Sequence, residues 1–256
     1  MKDIVSKMGK VHNSRIDVDK MFHAKGVEEI FQALNSTIRG LSNEEAERRL
    51  DEYGLNELKE VKKVTILDIF LDQFKDIFVI MLIVATAIAY FVDFTKGETP
   101  TDAIIIAAIV VLNSIVGFIQ EYRSEKAMEA MKKLTAPRAR VIRDGKELVI
   151  SAKEVVPGDI LQLESGDRVA ADSRLIEVVD LRTDEAVLTG ESTPVDKVTN
   201  VLNEKVPVGD RKNMLFMGTH IIHGRGKAVV TFTGMKTEFG KIAEMMQAVE
   251  EEQTPP

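Results

Sequence analysis

Residues 77–92 read IFVIMLIVATAIAYFV, an apolar run with no charged side chain, set between Asp76 and Asp93. A second run, residues 103–119, reads AIIIAAIVVLNSIVGFI between Asp102 and Glu121, with Asn113 as its most polar side chain. Each is slightly shorter than the ~20 residues that span a hydrocarbon core. Phe70, Leu71 and Phe74 before the first run, and Gln120 and Tyr122 after the second, are expected to supply the missing length. A helix that is apolar all round has no face for water, which disfavours a pair of buried helices in a soluble protein. Two membrane-spanning helices are therefore predicted.

Residues 93–102 between the runs are polar and contain Gly97 and Pro100, so the helices are expected to form a tight antiparallel hairpin. Lys59, Lys62, Lys63 and Lys75 precede the first run, and Arg123, Lys126, Lys132 and Lys133 follow the second, whereas the connection carries only Lys96. Basic residues mark the cytosolic side. The expectation is a multi-pass integral membrane protein with both long flanks cytosolic. Residues 120–134, QEYRSEKAMEAMKKL, are strong helix formers and predict a continuous stalk beyond the bilayer, ending near Ala136-Pro137.

The 256 residues are 45% hydrophobic and 29% charged, with a formal net charge of −7, which argues against a nucleic-acid partner. There is no cysteine, so disulfides and thiolate metal sites are excluded. The opening MKDIVSKMGK lacks the apolar core of a cleavable signal. Residues up to about Lys25 are expected to be irregular and mobile. Further on, Ser42 and Glu45 have the spacing of a capping box, Ala46, Leu50 and Tyr53 follow at helical intervals, and Gly54 is placed to end the helix.

From Arg138 onward the pattern changes to short alternating stretches. Residues 140–143 run into Asp144-Gly145, a strong hairpin signal, and then into residues 146–151. Further strands are expected at 160–163, 214–219 and 227–233, which indicates a sandwich or barrel-like β domain. Residues 237–252 read as a helix, with Glu250, Glu251 and Glu252 forming a solvated acidic end.

Residues 189–192, Thr-Gly-Glu-Ser, follow an expected apolar strand, Ala186-Val187-Leu188. These are ordinary turn residues, and a plain surface turn is the simplest reading. The set also suits phosphoryl hydrolysis. Gly190 permits close backbone approach, Thr189 and Ser192 offer hydroxyls, and Glu191 can orient a water and accept its proton. His220 and His223 suggest a metal pair, but with no further ligands nearby they read as structural.

Pro157-Gly158-Asp159, Gly166-Asp167-Arg168-Val169, Asp172 and the 188–192 loop occur in the order and spacing of the actuator domain of P-type ATPases. Asn213-Met214-Leu215-Phe216, Gly218-Thr219, Gly234 and residues 237–242 continue that resemblance, and LSNEEAERRLDEYGLNEL before the first apolar run resembles the N-terminal segment of cation pumps. The resemblance covers nearly everything from Leu41 to Pro256. The stalk string looks most like the calcium-pump branch, which makes calcium the expected cargo, with sodium or protons as alternatives.

The resemblance implies a multidomain membrane protein: a helical transmembrane hairpin plus a mainly-β actuator domain of distorted jelly-roll type with flanking helices. It divides the chain at 1–64, 65–136, 137–236 and 237–256, the last part leading toward a third membrane helix. In the family an aspartate in a separate domain is phosphorylated by Mg-ATP. The resemblance gives Glu191 the role of activating the attacking water, with Thr189, Gly190 and Ser192 shaping the loop around the phosphate. Pro157-Gly158-Asp159 is given a structural role, and Glu121 that of a gate for ion access or a plain interfacial carboxylate. No Asp-Lys-Thr-Gly-Thr sequence is present, since Asp19-Lys20 and Asp196-Lys197 lead into Met21 and Val198. The expectation is a shortened or split pump, inactive alone and binding no cofactor itself, whose phosphorylation and nucleotide-binding half is supplied in cis or trans. The competing expectation is a non-catalytic module that binds or regulates a full-length pump.

Overall fold

The computed structural model describes residues 21–58, 65–97, 99–134 and 136–253; the side chains of 132–134 and those from 248 onward are outside it. Lys59, Lys62 and Lys63 of the basic flank, and the side chains of Glu250, Glu251 and Glu252, thus lie outside the described residues. Two compact units result: one joins the described residues before 59 to those from 137 onward, and the other comprises those between.

In the second unit, α3 (Ile66–Asp72) and a 3-10 turn (Gln73–Lys75) precede α4 (Ile77–Lys96) and α5 (Thr101–Leu134). The order of these elements corrects one expectation. Phe70, Leu71 and Phe74 do not lengthen the first apolar helix. A capping box between Thr65 and Asp68 starts α3 separately, and Asp76, in extended conformation, breaks the chain and caps α4 through Phe78 N and Val79 N. Phe70 instead meets Phe74 and Phe118 edge-on, with centroids 5.4 and 6.2 Å apart. Gly117 leaves room there for Gln73, whose Oε1 lies 2.2 Å from where a Cβ would be.

α4 gains its length at the other end. It continues through Asp93 to Lys96 and stops at Gly97, whose φ of 70° favours glycine. At 20 residues it measures about 30 Å, the thickness of a hydrocarbon core. No α4 side chain is buried, and Phe78 and Phe94 are 68% and 71% exposed. Water does not tolerate so much contiguous apolar surface, whereas lipid does. α5 runs unbroken from the apolar run through the whole stalk string, as its helix formers predict.

In the first unit, β1 (Arg138–Arg143) and β2 (Lys146–Ser151) form the expected hairpin. Asp144 and Gly145 both have positive φ, 52° and 72°, the geometry that matches strand twist in a two-residue turn. β3 (Ile160–Glu164), β4 (Asp172–Asp184), β5 (Val195–Asp196), β6 (Met214–Leu215) and β7 (His220–Phe232) complete one antiparallel sheet, ordered β2-β1-β3-β7-β4-β5 with β6 on β4. The strand expected at 214–219 is thus only Met214–Leu215, because Asp172 captures Met217 N and turns the chain. β4 and β7 pair along most of their length through several register shifts. One sits where Gly224 passes Asp180, too close for a Cβ, which would lie 2.2 Å from the Asp180 carbonyl oxygen.

Neighbouring residues of β3 and β7 point to opposite faces, and both faces are covered. Leu161, Ala228 and Val230 join Val141, Leu175 and Leu215 in one core; Ile160 and Val229 join Phe22, Ile30 and Phe216 in a second. The second layer is partly N-terminal: α1 (Val27–Ala33) supplies Ile30, and α2 (Asn43–Tyr53) packs Ala46 near Leu41 and Val156. At Phe22 and His23, both buried, the chain is ordered where irregular chain was expected; the rest of that expectation, residues 1–20, lies outside the described residues. Burial holds the His23 pKa below its usual value, helped by the charge of Arg211.

Only half of the predicted capping box forms. Ser42 Oγ accepts from Glu45 N at 3.2 Å, while the Glu45 carboxylate takes Arg48 and Arg49, which hold its pKa at about 2. Arg49 carries the tie further, donating to the Pro157 carbonyl oxygen at 2.7 Å. Asn56 is saturated by the β domain: Nδ2 donates to Ala152 O and Ala170 O at 2.9 Å each, and Oδ1 accepts from Gly234 N at 2.8 Å. The last helix, α7 (Glu238–Gln253), starts under a cap from Thr237, whose Oγ1 accepts from Gly240 N at 3.0 Å.

Candidate functional site

Between β4 and β5 the chain leaves the sheet. The apolar strand expected at 186–188 is a helical turn instead, α6 (Ala186–Thr189). Two features favour the turn over extension. Asp184 Oδ1 accepts from Ala186 N at 3.0 Å, and the Glu185 carbonyl oxygen collects Leu188 N, Thr189 N and Thr189 Oγ1 at 2.9, 3.0 and 3.1 Å. Gly190 then closes the turn with a φ of 77°, in the left-handed region where a side chain is strained.

The structure brings Thr189, Gly190, Glu191 and Ser192 together on one exposed protrusion, since every residue from 189 to 194 is exposed. Glu191 N donates to Thr189 Oγ1 at 3.3 Å, so the backbone under the glutamate is shaped while its carboxylate faces outward. Nothing lies within 4 Å of where a Gly190 Cβ would be. A turn with a fixed backbone and a free carboxylate can place a general base against a second surface.

Beneath the protrusion the interior is charged. Glu185 and Lys197 meet as a buried ion pair, and Thr183 Oγ1 donates to the same Glu185 oxygen at 3.0 Å. Burial pulls the Lys197 pKa down while Glu185 opposes the shift. Nothing in the residue pattern singled this pair out, because only the fold brings position 185 to 197. The fully buried Arg174 also escaped sequence reading. Among the described residues it meets no carboxylate, and its guanidinium donates to the carbonyl oxygens of Phe22 and Thr199 at 3.2 and 2.9 Å.

Pro157-Gly158-Asp159 is interior. Asp159 is fully buried, accepting from Arg143 Nε and Nη2 at 2.8 and 2.7 Å and from Val156 N at 3.0 Å. Glu121 is exposed on α5, and His220 and His223 are exposed on β7. Among the described residues no group of three or more histidine, aspartate or glutamate side chains converges as a metal site.

Comparison with known proteins matches the same two regions. Residues 133–247 match the P-type ATPase actuator domain, and residues 22–89 the N-terminus of cation transporter/ATPases. A calcium-transporting ATPase of Bacillus subtilis is 44% identical over 236 residues, covering 91% of this chain and 26% of that protein. One from Listeria monocytogenes is 41% identical over 233 residues, again 91% of this chain and 26% of the relative. A sodium/potassium exporting P-type ATPase of Schizosaccharomyces pombe is 43% identical over 223 residues, or 86% and 21%. The chain thus spans about a quarter of the length of the curated relatives it matches. With an actuator-type sheet, two apolar helices and this similarity over most of its length, the chain belongs to the P-type cation-transporting ATPases, as their N-terminal part with the first two membrane helices and the actuator domain.

Proposed function

We propose that this chain is the actuator and first transmembrane hairpin of an ATP-driven cation pump whose cargo is calcium, and that its 189–192 loop promotes hydrolysis of an aspartyl phosphate carried by another domain. The observation that supports this most is the exposed loop, with its backbone fixed and the Glu191 carboxylate free to meet a second surface.

In this reading Glu191 takes a proton from a water as the water oxygen bonds to phosphorus and the aspartate oxygen leaves. Inorganic phosphate and a free aspartate result. Thr189, Gly190 and Ser192 shape the loop around the phosphate. Mg-ATP, bound by the phosphorylation and nucleotide-binding half, supplies the phosphoryl group in an earlier step. These 256 residues have no ATP hydrolysis of their own. The basic residues flanking the two apolar runs support a cytosolic position for both long flanks and the β domain.

Reconstitution in vesicles with a phosphorylation and nucleotide-binding half tests the reading. ATP-driven calcium uptake that Glu191→Ala abolishes is the expected result. Uptake of sodium or protons without calcium would reassign the cargo. Equal uptake by wild type and Glu191→Ala would leave a binding or regulatory module in place of an actuator.

A further inference from the structure

The 189–192 loop stands on a neck formed where β4 passes β5, with Arg182 opposite Asp196 and Thr183 opposite Val195. Two ion pairs of different character close this neck. Arg182 Nε donates to Asp196 Oδ1 at 2.8 Å, and both side chains are more than half exposed. Such a surface pair contributes little. Glu185 and Lys197 form the other, with side chains 1% and 0% exposed, and the Lys197 ammonium also lies 5.7 Å from the centre of the Phe216 ring.

The buried pair is an expensive construction. Apolar side chains of similar size in place of such a pair often serve stability as well or better. One Glu185 oxygen, Oε1, takes both Lys197 Nζ and the hydroxyl of Thr183, so the pair is tied to β4 as well as to the loop. Stability alone does not account for it. Its position suggests another role, because Glu185 is the residue whose carbonyl oxygen anchors the turn. From there a short relay runs outward: Thr189 Oγ1 donates to Glu185 O at 3.1 Å and accepts from Glu191 N at 3.3 Å. On the other strand, Lys197 N is fixed to Leu181 O at 2.9 Å.

We propose that Glu185 and Lys197 are a positioning pair: their buried contact locks the first residue of the turn to the sheet and, through Thr189, sets where Glu191 is presented. This rests on the reading of the loop as a dephosphorylation element, and it adds the residues that aim it. Neither side chain reaches the surface, so neither touches phosphate.

The test separates positioning from stability by exchanging the pair for apolar residues. In the full chain in detergent, Glu185→Leu with Lys197→Met is expected to keep the melting temperature within a few degrees of wild type. Amide hydrogen exchange across 186–192 is expected to quicken at least tenfold, with β4 and β7 unchanged. Wild-type exchange in the loop at a wild-type melting temperature would overturn the proposal. If the double variant does not fold, Lys197→Met and Lys197→Arg are compared, each the same interval below its own melting temperature. Fast loop exchange in the first, slowed again in the second, supports positioning by charge; equal exchange in both refutes it. Supplying the phosphorylation half adds a separate readout. Faster loop exchange with unchanged phosphoenzyme decay would keep the positioning role and remove the dephosphorylation reading.

Discussion

Asp172 holds the start of the last helix: its Oδ2 accepts from Glu238 N at 2.7 Å, while Oδ1 accepts from Met217 N at 2.8 Å. One buried carboxylate thus ties β4, the turn after β6 and α7 together. Burial raises its pKa to about 6, against the two backbone N–H groups, which favour the charged form. The folded value lies above the unfolded one, so protonation favours the fold. This contribution is complete below about 3.9 and disappears as pH rises through about 6. A shift of this size corresponds to roughly 3 kcal/mol. Between pH 7 and pH 4 the melting temperature of wild type is expected to rise relative to that of Asp172→Asn. Parallel profiles would show that Asp172 does not titrate in this range.

Asp159 and Arg143 carry the structural role of Pro157-Gly158-Asp159. Asp159→Ala strands the buried guanidinium and removes the acceptor of Val156 N. The expected cost is about 3–5 kcal/mol, read by thermal unfolding. A loss within measurement error would contradict the arrangement.

Arg174 works as a staple on backbone carbonyl acceptors, among them those of Phe22 and Thr199. Burial brings its pKa down to about 10, so it remains charged at neutral pH. Arg174→Met leaves the carbonyls of Phe22 and Thr199 without their donor, at roughly 1–3 kcal/mol each where they are buried. The variant is expected to free the chain around Lys25, with trypsin cleaving there several-fold faster than in wild type. An unchanged cleavage rate would rule the staple out.

Gly40 and Gly54 both have positive φ, 78° and 77°, but only Gly40 is crowded: a Cβ there would lie 1.8 Å from the Ile142 carbonyl oxygen, whereas nothing lies within 4 Å at Gly54. Gly40→Ala is expected to destabilise the fold more than Gly54→Ala, by more than ~1 kcal/mol, read by thermal unfolding. Equal effects would mean that backbone strain alone matters at both positions.

The features read correctly from sequence are those encoded over short distances. The apolar runs, the Asp144-Gly145 turn and the helix formers of the stalk each act within their own segment. Expectations failed where a distant or competing partner intervened. Asp76 outcompetes helix continuation and separates Phe70 from α4. Arg48 and Arg49 take the Glu45 carboxylate from its cap. Asp184 and Glu185 turn an apolar triplet into α6. The exposed turn at 189–192 is legible in its residues, whereas its buried support is not. Glu185 and Lys197 meet only after β4 and β5 pair.

The most direct test of the account is the decay of phosphoenzyme when the chain is joined or mixed with a phosphorylation and nucleotide-binding half. After labelling with radioactive ATP and a chase, wild type is expected to lose its acyl phosphate rapidly. Glu191→Ala should form phosphoenzyme to the same level but lose it at least a hundredfold more slowly, the usual range for removing a general base. Equal decay in the two would contradict the role given to Glu191, and with it the central claim.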